Sequence, residues 1–367
     1  MEKQYSPLEN MVNIIKNAYQ GQTVLVTGHT GFKGSWLCET LLILGARVIG
    51  YSVDIPTNPA LFELLKLDHR MTSVIGDIRD YNCLKEVIAK YKPTIVFHLA
   101  AQSLVIDSYK NPKYTYETNI MGTVNLFEAI RNTDFVKSII NVTTDKVYEN
   151  NDKVGYSFRE DDKLCGHDPY SNSKSCSELV THSYKKAFFE ARSLPISTVR
   201  AGNVIGGGDF SANRIIPDCV RAVINGEPIG VRNKNSTRPY QFVMEPLLIY
   251  LYLAIKQIDD ISFSGSYNIG PEIYDVKTTG EIVNLFCNKW GNDARWIDKT
   301  AIDAPHEASY LSLDISLIKN KLKWRPIYTL DETMSAIVEF SKAFSRGDSV
   351  NNIVKKQINI FLEKGSR

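Results

Sequence analysis

The sequence predicts an α/β protein in which a doubly wound parallel sheet is followed by a smaller mixed α/β lobe. Short apolar segments alternate with helix-length amphipathic segments over residues 21–200. The apolar segments are nearly continuous, which is typical of strands buried on both faces of a parallel sheet. The first of them runs directly into a glycine-rich turn. Together these observations indicate a series of right-handed βαβ units.

The elements of the sheet can be assigned in chain order. Residues 1–20 are predicted to form a partly helical N-terminal extension. Beyond it we expect strands at 23–27, 47–51, 73–76, 94–99 and 138–142, and helices at 35–44, 81–91 and 114–130. These helices separate the strands by about 10–15 helical residues, which is the spacing typical of βαβ units.

The alternation of strand and helix ends at about residue 201. Three consecutive glycines at 206–208 predict a loop, and residues 228–240 are polar and rich in turn formers. Further helices are expected at 214–226 and 242–256. The second part of the chain therefore has a different organisation from the first.

We divide the chain into an extension (1–20), a Rossmann-type dinucleotide-binding domain (21–200) and a region that is mainly the substrate lobe (201–367). The last region can also return strands or helices to the first domain. In doubly wound sheets, ligands lie outside the carboxyl ends of the strands, where the winding reverses. The candidate site is expected there.

Composition excludes several classes of partner. Lys and Arg number 43 and Asp and Glu 41, a formal charge of +2, so no basic footprint for nucleic acid is present. The longest apolar run, 246–255, is too short to span a membrane. The six cysteines and six histidines show neither metal-ligand spacing nor a disulfide framework, and residues 1–10 (MEKQYSPLEN) show no signal-peptide pattern. We expect a cytoplasmic protein without a metal site.

The glycine-rich turn reads Gly28-His29-Thr30-Gly31-Phe32-Lys33-Gly34. Its first glycine permits a tight turn, its second a close approach of the backbone to a pyrophosphate, and its third close packing of helix on sheet. The amino end of the following helix offers free N–H groups to phosphates. The predicted cofactor-binding residues of this turn are Gly28, Thr30, Gly31, Phe32, Lys33 and Gly34.

Acidic residues follow the next two strands. Asp54 lies 20 residues after Gly34 and would accept hydrogen bonds from an adenosine ribose, which favours NAD over NADP. Asp77 and Ile78 are expected to flank the adenine. Alternatively, Asp54 is a solvated loop residue and residues 77–78 form a helix-capping loop. Because Lys33 and Arg47 are basic, NADP remains an alternative cofactor.

A Tyr-x-x-x-Lys pair, Tyr170 and Lys174, is the first candidate for catalysis. On a helix the two side chains share one face. A cationic lysine there can bind a ribose and lower the pKa of the tyrosine, which can then remove a proton from a sugar hydroxyl. Both residues are therefore predicted to contact the cofactor as well. Without the glycine-rich turn, an exposed pair on an amphipathic helix would be the better interpretation.

The second candidate segment is Thr143-Thr144-Asp145-Lys146, which closes the predicted strand 138–142. Thr144 is placed to hydrogen-bond the same sugar hydroxyl that Tyr170 deprotonates. An alcohol oxidation needs no further acid, whereas an elimination needs a proton for the departing hydroxyl. Asp145 can supply that proton, so the segment indicates a dehydration.

Residues 21–330 resemble the extended short-chain dehydrogenase/reductase family, and within it the nucleotide-sugar 4,6-dehydratases, with CDP-glucose as the favoured substrate. The segments that carry the resemblance are VTGHTGFKGSW (26–36), GDIRD (76–80), IVFHLAAQ (95–102), TNIMGT (118–123), NVTTDKVY (141–148), DPYSNSK (168–174), RAGNVIGGGDF (200–210), RPYQFVMEPL (238–247), NIGP (268–271) and PHEASYLSLD (305–314).

The resemblance implies a reaction without net oxidation. Tyr170, aided by Thr144 and Lys174, takes the proton of the glucose 4-hydroxyl while hydride passes from C4 to NAD. A base removes the C5 proton, Asp145 protonates the C6 hydroxyl, water leaves, and the hydride returns to C6. Related dTDP-sugar dehydratases have a glutamate at the position of Lys146. Three roles for Lys146 are therefore open: it is the base that removes the C5 proton, it orients a water molecule that removes this proton, or it only forms a salt bridge with Asp145.

The resemblance also implies further binding residues. For the cofactor they are Ala100, Ala101, Gln102 and Thr118. For the substrate they are Gln102, Asn203, Arg214, Arg238 and His306, the two arginines as pyrophosphate ligands. The family commonly forms dimers through helices near 114–130 and 170–189, so a homodimer or a dimer of dimers is expected, in a pathway of deoxysugar or O-antigen synthesis.

Four residues depart from the usual family pattern. Ser103 and Ile106 stand for a proline and an arginine, and Tyr240 and Phe242 for a tryptophan and a histidine. These changes leave three alternatives open: a 4,6-dehydratase of another nucleotide-sugar, a nucleotide-sugar 4-epimerase, and a cofactor-binding protein without turnover. Asp145 argues against an epimerase, and the complete set of Tyr170, Lys174 and Asp145 against loss of turnover.

Overall fold

A computed structural model describes residues 7–291, 294–300 and 309–366 of the chain. The helices are α1 (Pro7–Ala18), α2 (Phe32–Ile43), α3 (Leu61–Leu64), α4 (Tyr81–Tyr91), α5 (Val105–Lys110), α6 (Pro112–Tyr116), α7 (Gly122–Arg131), α8 (Pro169–Tyr184), α9 (Ile215–Ile224), α10 (Met244–Asp259), α11 (Thr279–Trp290), α12 (Ser316–Leu322), α13 (Leu330–Ser345) and α14 (Val350–Gly365). The strands are β1 (Thr23–Thr27), β2 (Arg47–Ser52), β3 (Thr72–Ile75), β4 (Ile95–His98), β5 (Ser138–Val142), β6 (Ile196–Ala201), β7 (Asn203–Ile205), β8 (Ile229–Val231), β9 (Thr237–Arg238), β10 (Tyr240–Phe242), β11 (Ser266–Ile269), β12 (Lys277–Thr278) and β13 (Trp296–Asp298).

The centre of the molecule is a parallel sheet of seven strands in the order β3-β2-β1-β4-β5-β6-β11. The chain winds outward from β1 to β3 and then returns to β4, so the winding reverses between β1 and β4. A crevice for a ligand is expected at their carboxyl ends. The predicted doubly wound sheet is confirmed.

Two apolar layers cover the sheet. On one face α1, α2, α10 and α14 contribute to a large buried cluster that includes Trp36, Leu247 and Phe361. On the other face α4, α7 and the segment after α8 contribute a smaller cluster that includes Leu126 and Phe189. Because both faces are covered, the strands carry the continuous apolar runs seen in the sequence.

The region after residue 201 forms a separate apolar cluster and also returns to the main sheet. Helices α9, α11 and α13 pack around Ile216, Phe286 and Met334. Strand β11 pairs with β6 at the edge of the main sheet. The polar segment 228–240, expected to be turns, holds β8 and β9, which pair with residues 296–298 and 277–278. Such distant partners leave no local pattern in the sequence.

The N-terminal extension is part of the packed structure. Helix α1 buries Met11, Val12 and Ile15, and the buried Tyr19 hydroxyl donates a hydrogen bond to the Leu251 carbonyl of α10 (2.8 Å). The extension therefore stabilises the helix layer behind the first strand. Over the described ranges, no helix combines the length and apolar character needed to cross a bilayer.

Candidate active site

The glycine-rich turn joins β1 to α2 at the point where the sheet reverses. Gly28 has a φ of +76°, and a Cβ there would lie 2.8 Å from the Ala100 nitrogen. A Cβ on Gly34 would overlap the Gly28 carbonyl oxygen. At Gly31, by contrast, the nearest atom to a Cβ is the Gly28 oxygen at 3.5 Å. The amino end of α2 therefore faces open space, which fits a bound pyrophosphate.

Thr30 and Lys33 take different positions within the turn. The Thr30 hydroxyl donates to the Asp54 carbonyl oxygen (2.6 Å) and so fixes the loop after β2. The half-buried Lys33 ammonium lies 6.0 Å from the centre of the Tyr250 ring. Burial, followed by the positive charges of Lys174 and Arg214, lowers the pKa of Lys33 to about 7. Lys33 thus faces the catalytic residues.

The two acidic candidates for adenosine binding differ in their surroundings. The Asp54 side chain is exposed at the end of β2. Asp77 is held by the Arg79 guanidinium (Nη2 to Oδ2, 2.6 Å), and this hydrogen bond lowers the pKa of Asp77. Ile78 is buried behind it. The structure brings these residues to the ends of β2 and β3, as a cofactor adenosine requires.

The loop after β4 lies beside the turn. The Ala100 N–H donates to the Thr27 hydroxyl (3.2 Å), and Ala101 follows it. The Gln102 amide donates to Leu104 and Thr115, so its side chain shapes the loop. The buried Thr118 hydroxyl has no hydrogen-bond partner among the described residues. It is available to a ligand at the bottom of the crevice.

Thr144 and Asp145 follow β5 directly. The Thr144 hydroxyl donates to the Asp145 carboxylate (3.0 Å). Asp145 is buried, and its Oδ2 has no partner within the described part of the chain. Burial raises the pKa of Asp145, although Lys146, Thr144 and Arg238 oppose the shift. A buried carboxyl group with a raised pKa and a free oxygen is suited to proton donation.

Tyr170 and Lys174 lie one turn apart on α8 and face the same crevice. Burial raises the pKa of Tyr170 to about 12, and the nearby Thr144 hydroxyl opposes this shift. The Lys174 ammonium donates to the Val142 carbonyl oxygen at the end of β5 (3.1 Å). Burial lowers the pKa of Lys174 to about 8, against the effect of Glu178. Phenol, carboxyl and ammonium thus converge at one strand end.

Three candidate substrate ligands lie on elements that follow residue 201. Arg214 precedes α9 and is held by Asp209 (3.0 Å). Arg238 is buried on β9 and close enough to Asp145 to lower the pKa of its carboxyl. Asn203 begins β7. His306 lies outside the described residues.

The structure gives the four departures from the family pattern different environments. Ser103 accepts a hydrogen bond from Arg214 (3.3 Å), and Ile106 is exposed on α5. Phe242 stacks on Tyr328 in the core, and the buried Tyr240 hydroxyl pairs with Thr279. The change at 103 therefore alters a contact of Arg214, a candidate substrate ligand.

Sequence reasoning missed two groups. Tyr250 on α10 is buried, its hydroxyl lacks a hydrogen-bond partner in the described structure, and its ring faces Lys33. Glu178 lies one further turn along α8 from Lys174 and forms a buried ion pair with Arg200. The spacing of Tyr170, Lys174 and Glu178 on one helix face is the signal that indicates the second group. No local pattern indicates Tyr250.

A doubly wound sheet with a glycine-rich first turn and a Tyr-x-x-x-Lys helix beside it defines the class of extended short-chain dehydrogenases/reductases. The profile of the family described as GDP-mannose 4,6 dehydratase matches residues 25–337, and the chain belongs to that family. The predicted resemblance to the nucleotide-sugar 4,6-dehydratases is confirmed.

Individual relatives agree with this assignment. The chain is 44% identical over 360 residues to the CDP-glucose 4,6-dehydratase of Salmonella typhimurium, covering 96% of this chain and 100% of the relative. The UDP-glucose 4-epimerase of Thermotoga maritima superposes with a TM-score of 0.76 at 21% identity, over 88% of this chain and 99% of that one. The dTDP-glucose 4,6-dehydratase of Bacillus anthracis, solved with NAD, gives 0.71 at 23% identity, over 88% and 97%. At 21% and 23% identity, the likeness to the two solved structures establishes the fold alone.

Proposed function

We propose that this chain is an NAD-dependent hydro-lyase that converts CDP-glucose to CDP-4-keto-6-deoxyglucose. The observation that supports the proposal is the buried Asp145 carboxyl, which accepts a hydrogen bond from Thr144 and lies close enough to Tyr170 to affect the pKa of the phenol. An enzyme that only oxidises or epimerises C4 has no need of this acid. The identity to the Salmonella CDP-glucose 4,6-dehydratase supports the choice of nucleotide.

The glycine-rich turn is the proposed binding site for the cofactor. Open space over Gly31 and the amino end of α2 suits the pyrophosphate, and Asp54 suits the adenosine ribose. Asp77 and Ile78 would hold the adenine, and Lys174 the second ribose. When bound, NAD supplies the acceptor for hydride from C4 and its donor to C6.

Tyr170 is the proposed base for the sugar 4-hydroxyl. Its pKa of about 12 reflects burial in the structure without ligands. The Thr144 hydroxyl and the charge of Arg214 lower this pKa, and the charges of Lys174 and of an oxidised cofactor would add to the effect. Tyr170 therefore works only while Lys174 is protonated.

Asp145 is the proposed acid for the C6 hydroxyl. Its raised pKa keeps the proton available at higher pH than an ordinary carboxyl group would. Lys146, at the neighbouring position in the same turn, is the C5 base or holds the water that acts as base. The two residues would then work on adjacent carbons of one hexose ring.

The substrate's phosphates are assigned to Arg214 and Arg238, whose planar guanidinium groups match phosphate oxygens. Asn203, at the start of β7, is assigned to an oxygen of the sugar or phosphate. Gln102 is assigned to the sugar side of the loop after β4, with His306 as a further candidate. These assignments rest on the resemblance to the family, and for Arg214 and Arg238 also on the effect of their charges on Tyr170 and Asp145.

A product assay with CDP-, dTDP-, UDP- and GDP-hexoses tests the proposal. We expect a 4-keto-6-deoxy sugar from CDP-glucose and much slower turnover of the others. A C4 diastereomer would instead identify a 4-epimerase, and preference for another nucleotide would identify a different 4,6-dehydratase. Tight NAD binding without turnover of any of them would identify a protein that has lost activity.

A homodimer is the proposed assembly. Apolar side chains lie exposed on the helices that the family uses for dimerisation, among them Met121, Leu179 and Phe188. Pairing of two such surfaces would remove this apolar area from water. The exposed fraction of Leu179, 57%, makes it the most informative position for a test.

A further inference from the structure

A buried ion pair lies directly behind the candidate catalytic residues. Glu178 on α8 and Arg200 on β6 are each 3% exposed. Both oxygens of the carboxylate accept from the guanidinium, Oε1 from Nε and Oε2 from Nη2, each at 3.0 Å. Neither residue belongs to the glycine-rich turn or to the residues assigned above.

The carboxylate also accepts hydrogen bonds from two threonines, one just after β5 and one on β6. Thr143, which precedes Thr144, donates to Oε1 (2.5 Å), and Thr198 on β6 donates to Oε2 (2.6 Å). Glu178 therefore connects the helix of Tyr170 and Lys174 to the end of β5. All four contacts are made in the interior.

The guanidinium extends the connection to the far side of the catalytic turn. Arg200 Nη1 donates to the Tyr148 hydroxyl (2.9 Å) and to the Glu160 carbonyl (2.8 Å). Tyr148 in turn donates to Asn268 on β11 (2.6 Å). Residues on both sides of Thr144, Asp145 and Lys146 are thus joined to one ion pair.

A buried ion pair adds little stability compared with apolar residues of similar volume. Its effect here is geometric, because the same two side chains contact the helix of the proposed base and both ends of the segment with the proposed acid. We propose that Glu178 and Arg200 are positioning residues that fix the proposed base, Tyr170, relative to the proposed acid, Asp145. This inference rests on the proposed function.

Glu178 also acts on Lys174 by charge. Burial lowers the pKa of Lys174, and the carboxylate of Glu178 opposes this shift. Burial also lowers the pKa of Lys33 on α2 and of His98 on β4, and the charge of Lys174 adds to the lowering of both. The turn Asp145–Val147 packs against α8 and carries Asp145 and Lys146. Without the carboxylate, Arg200 would remain as an unbalanced cation, and Lys174 would lose its proton at lower pH.

The test compares the kcat, KM and pH profile of the full-length enzyme and its variants with CDP-glucose. For Glu178→Gln we expect kcat to fall about 10- to 100-fold with little change in KM, since a small misplacement of reacting groups has such an effect. The alkaline limb of the profile should move down by about one pH unit. Thr143→Val should lower kcat without moving that limb. Glu190→Gln, an exposed glutamate after α8, is the matched control.

A double variant separates positioning from folding. Glu178→Met combined with Arg200→Met leaves no unbalanced buried charge, so it should still unfold cooperatively, with a midpoint lowered because Thr143, Thr198 and the Glu160 carbonyl each lose a partner. We expect its kcat to stay as low as that of Glu178→Gln. Wild-type kcat and pH profile in the double variant, or in Glu178→Gln, would overturn the inference.

A second measurement does not depend on turnover. The affinity for NAD is followed by titration calorimetry as a function of pH, because Lys174 is a proposed ribose ligand. In Glu178→Gln the loss of affinity should begin about one pH unit lower than in the wild type. An unchanged profile would refute the effect of Glu178 on Lys174. Absence of wild-type turnover with CDP-glucose would instead refute the proposed function alone.

Discussion

At the scale of residues, burial changes what ordinary side chains can do at this site. Asp145 has one oxygen bonded to Thr144 and one without a partner among the described residues. Burial raises its pKa and lowers that of Lys174 to about 8. A proton donor and a titratable cation therefore lie at the same strand end.

We predict that Asp145→Asn separates oxidation from elimination. An amide cannot donate a proton to the C6 hydroxyl, so formation of the product should slow by about 10²- to 10⁴-fold. Oxidation of C4 should persist and be visible as absorbance of reduced nicotinamide. Asp161→Asn, an exposed carboxylate, serves as the control. Normal product formation by Asp145→Asn would rule out its role as the acid.

The glycines of the turn give a second prediction. Gly31 has room for a Cβ, whereas Gly34 has none. Gly31→Ala should keep the unfolding midpoint but weaken NAD binding about tenfold or more, because the methyl group occupies the space expected for the pyrophosphate. Gly34→Ala should lower the midpoint itself. Thermal unfolding and NAD titration distinguish them, and equal NAD affinity of Gly31→Ala and wild type would contradict the prediction.

The sequence predicted the residues of this site because each follows a recognisable strand or shares a helix face. Tyr170 and Lys174 are four apart, and Thr144 and Asp145 close a continuous apolar run. Arg200 and Tyr250 were missed because their roles depend on contacts between distant segments. Nothing in the spacing of residues 178, 200 and 250 connects them before the chain is folded.

At the scale of elements, the sheet was predictable and the second lobe less so. Strands β1, β2, β4 and β5 match their predicted positions within about two residues, since each is a buried apolar run. Helix α2 begins at Phe32, before the expected 35, because Gly31 adopts an extended conformation and acts as its N-cap. Strands of two or three residues, such as β9, depend on distant partners and leave no periodic signal.

Helix α10 carries a buried carboxyl group that predicts how stability changes with pH. One oxygen of Glu245 accepts from the N–H groups of Ile327 and Tyr328 (2.8 and 2.7 Å). Burial raises the pKa of Glu245 to about 8 from the model-compound value of 4.5. A folded-state pKa above the unfolded value gives stability that is complete below pH 4.5 and is lost as the pH rises through 8.

We therefore expect Glu245→Gln to be more stable than the wild type at pH 9 by more than about 1 kcal/mol, with the difference disappearing near pH 5. Urea unfolding at several pH values measures this. Glu227→Gln, an exposed substitution in the loop before β8, is the control. A constant difference across pH would show that Glu245 does not titrate as described.

At the scale of the whole molecule, the C-terminal region closes the structure of the first domain. Strand β11 extends the main sheet, and α10 and α14 cover one of its faces together with α1. The division of the chain at residue 200 remains a prediction about function, since packing crosses that position. The third apolar cluster, around Phe286, belongs to the candidate substrate lobe.

The proposed dimer gives the prediction at this scale. Leu179→Glu places a charge on the exposed apolar surface of α8 and should produce monomers in sedimentation experiments. Ile360→Glu, a similarly apolar and exposed position on α14, should leave the assembly unchanged. Equal sedimentation of Leu179→Glu and wild type would place the interface elsewhere or remove it.

The central claim, that Tyr170, Asp145 and one bound cofactor act on a single hexose, is tested most directly with CDP-glucose deuterated at C4. The product is examined by NMR after turnover in ordinary water. The account predicts a 4-keto-6-deoxy sugar with the deuterium at C6, because the hydride taken from C4 returns to the carbon that lost its hydroxyl. Deuterium retained at C4 in an epimerised sugar, or lost to solvent, would contradict it.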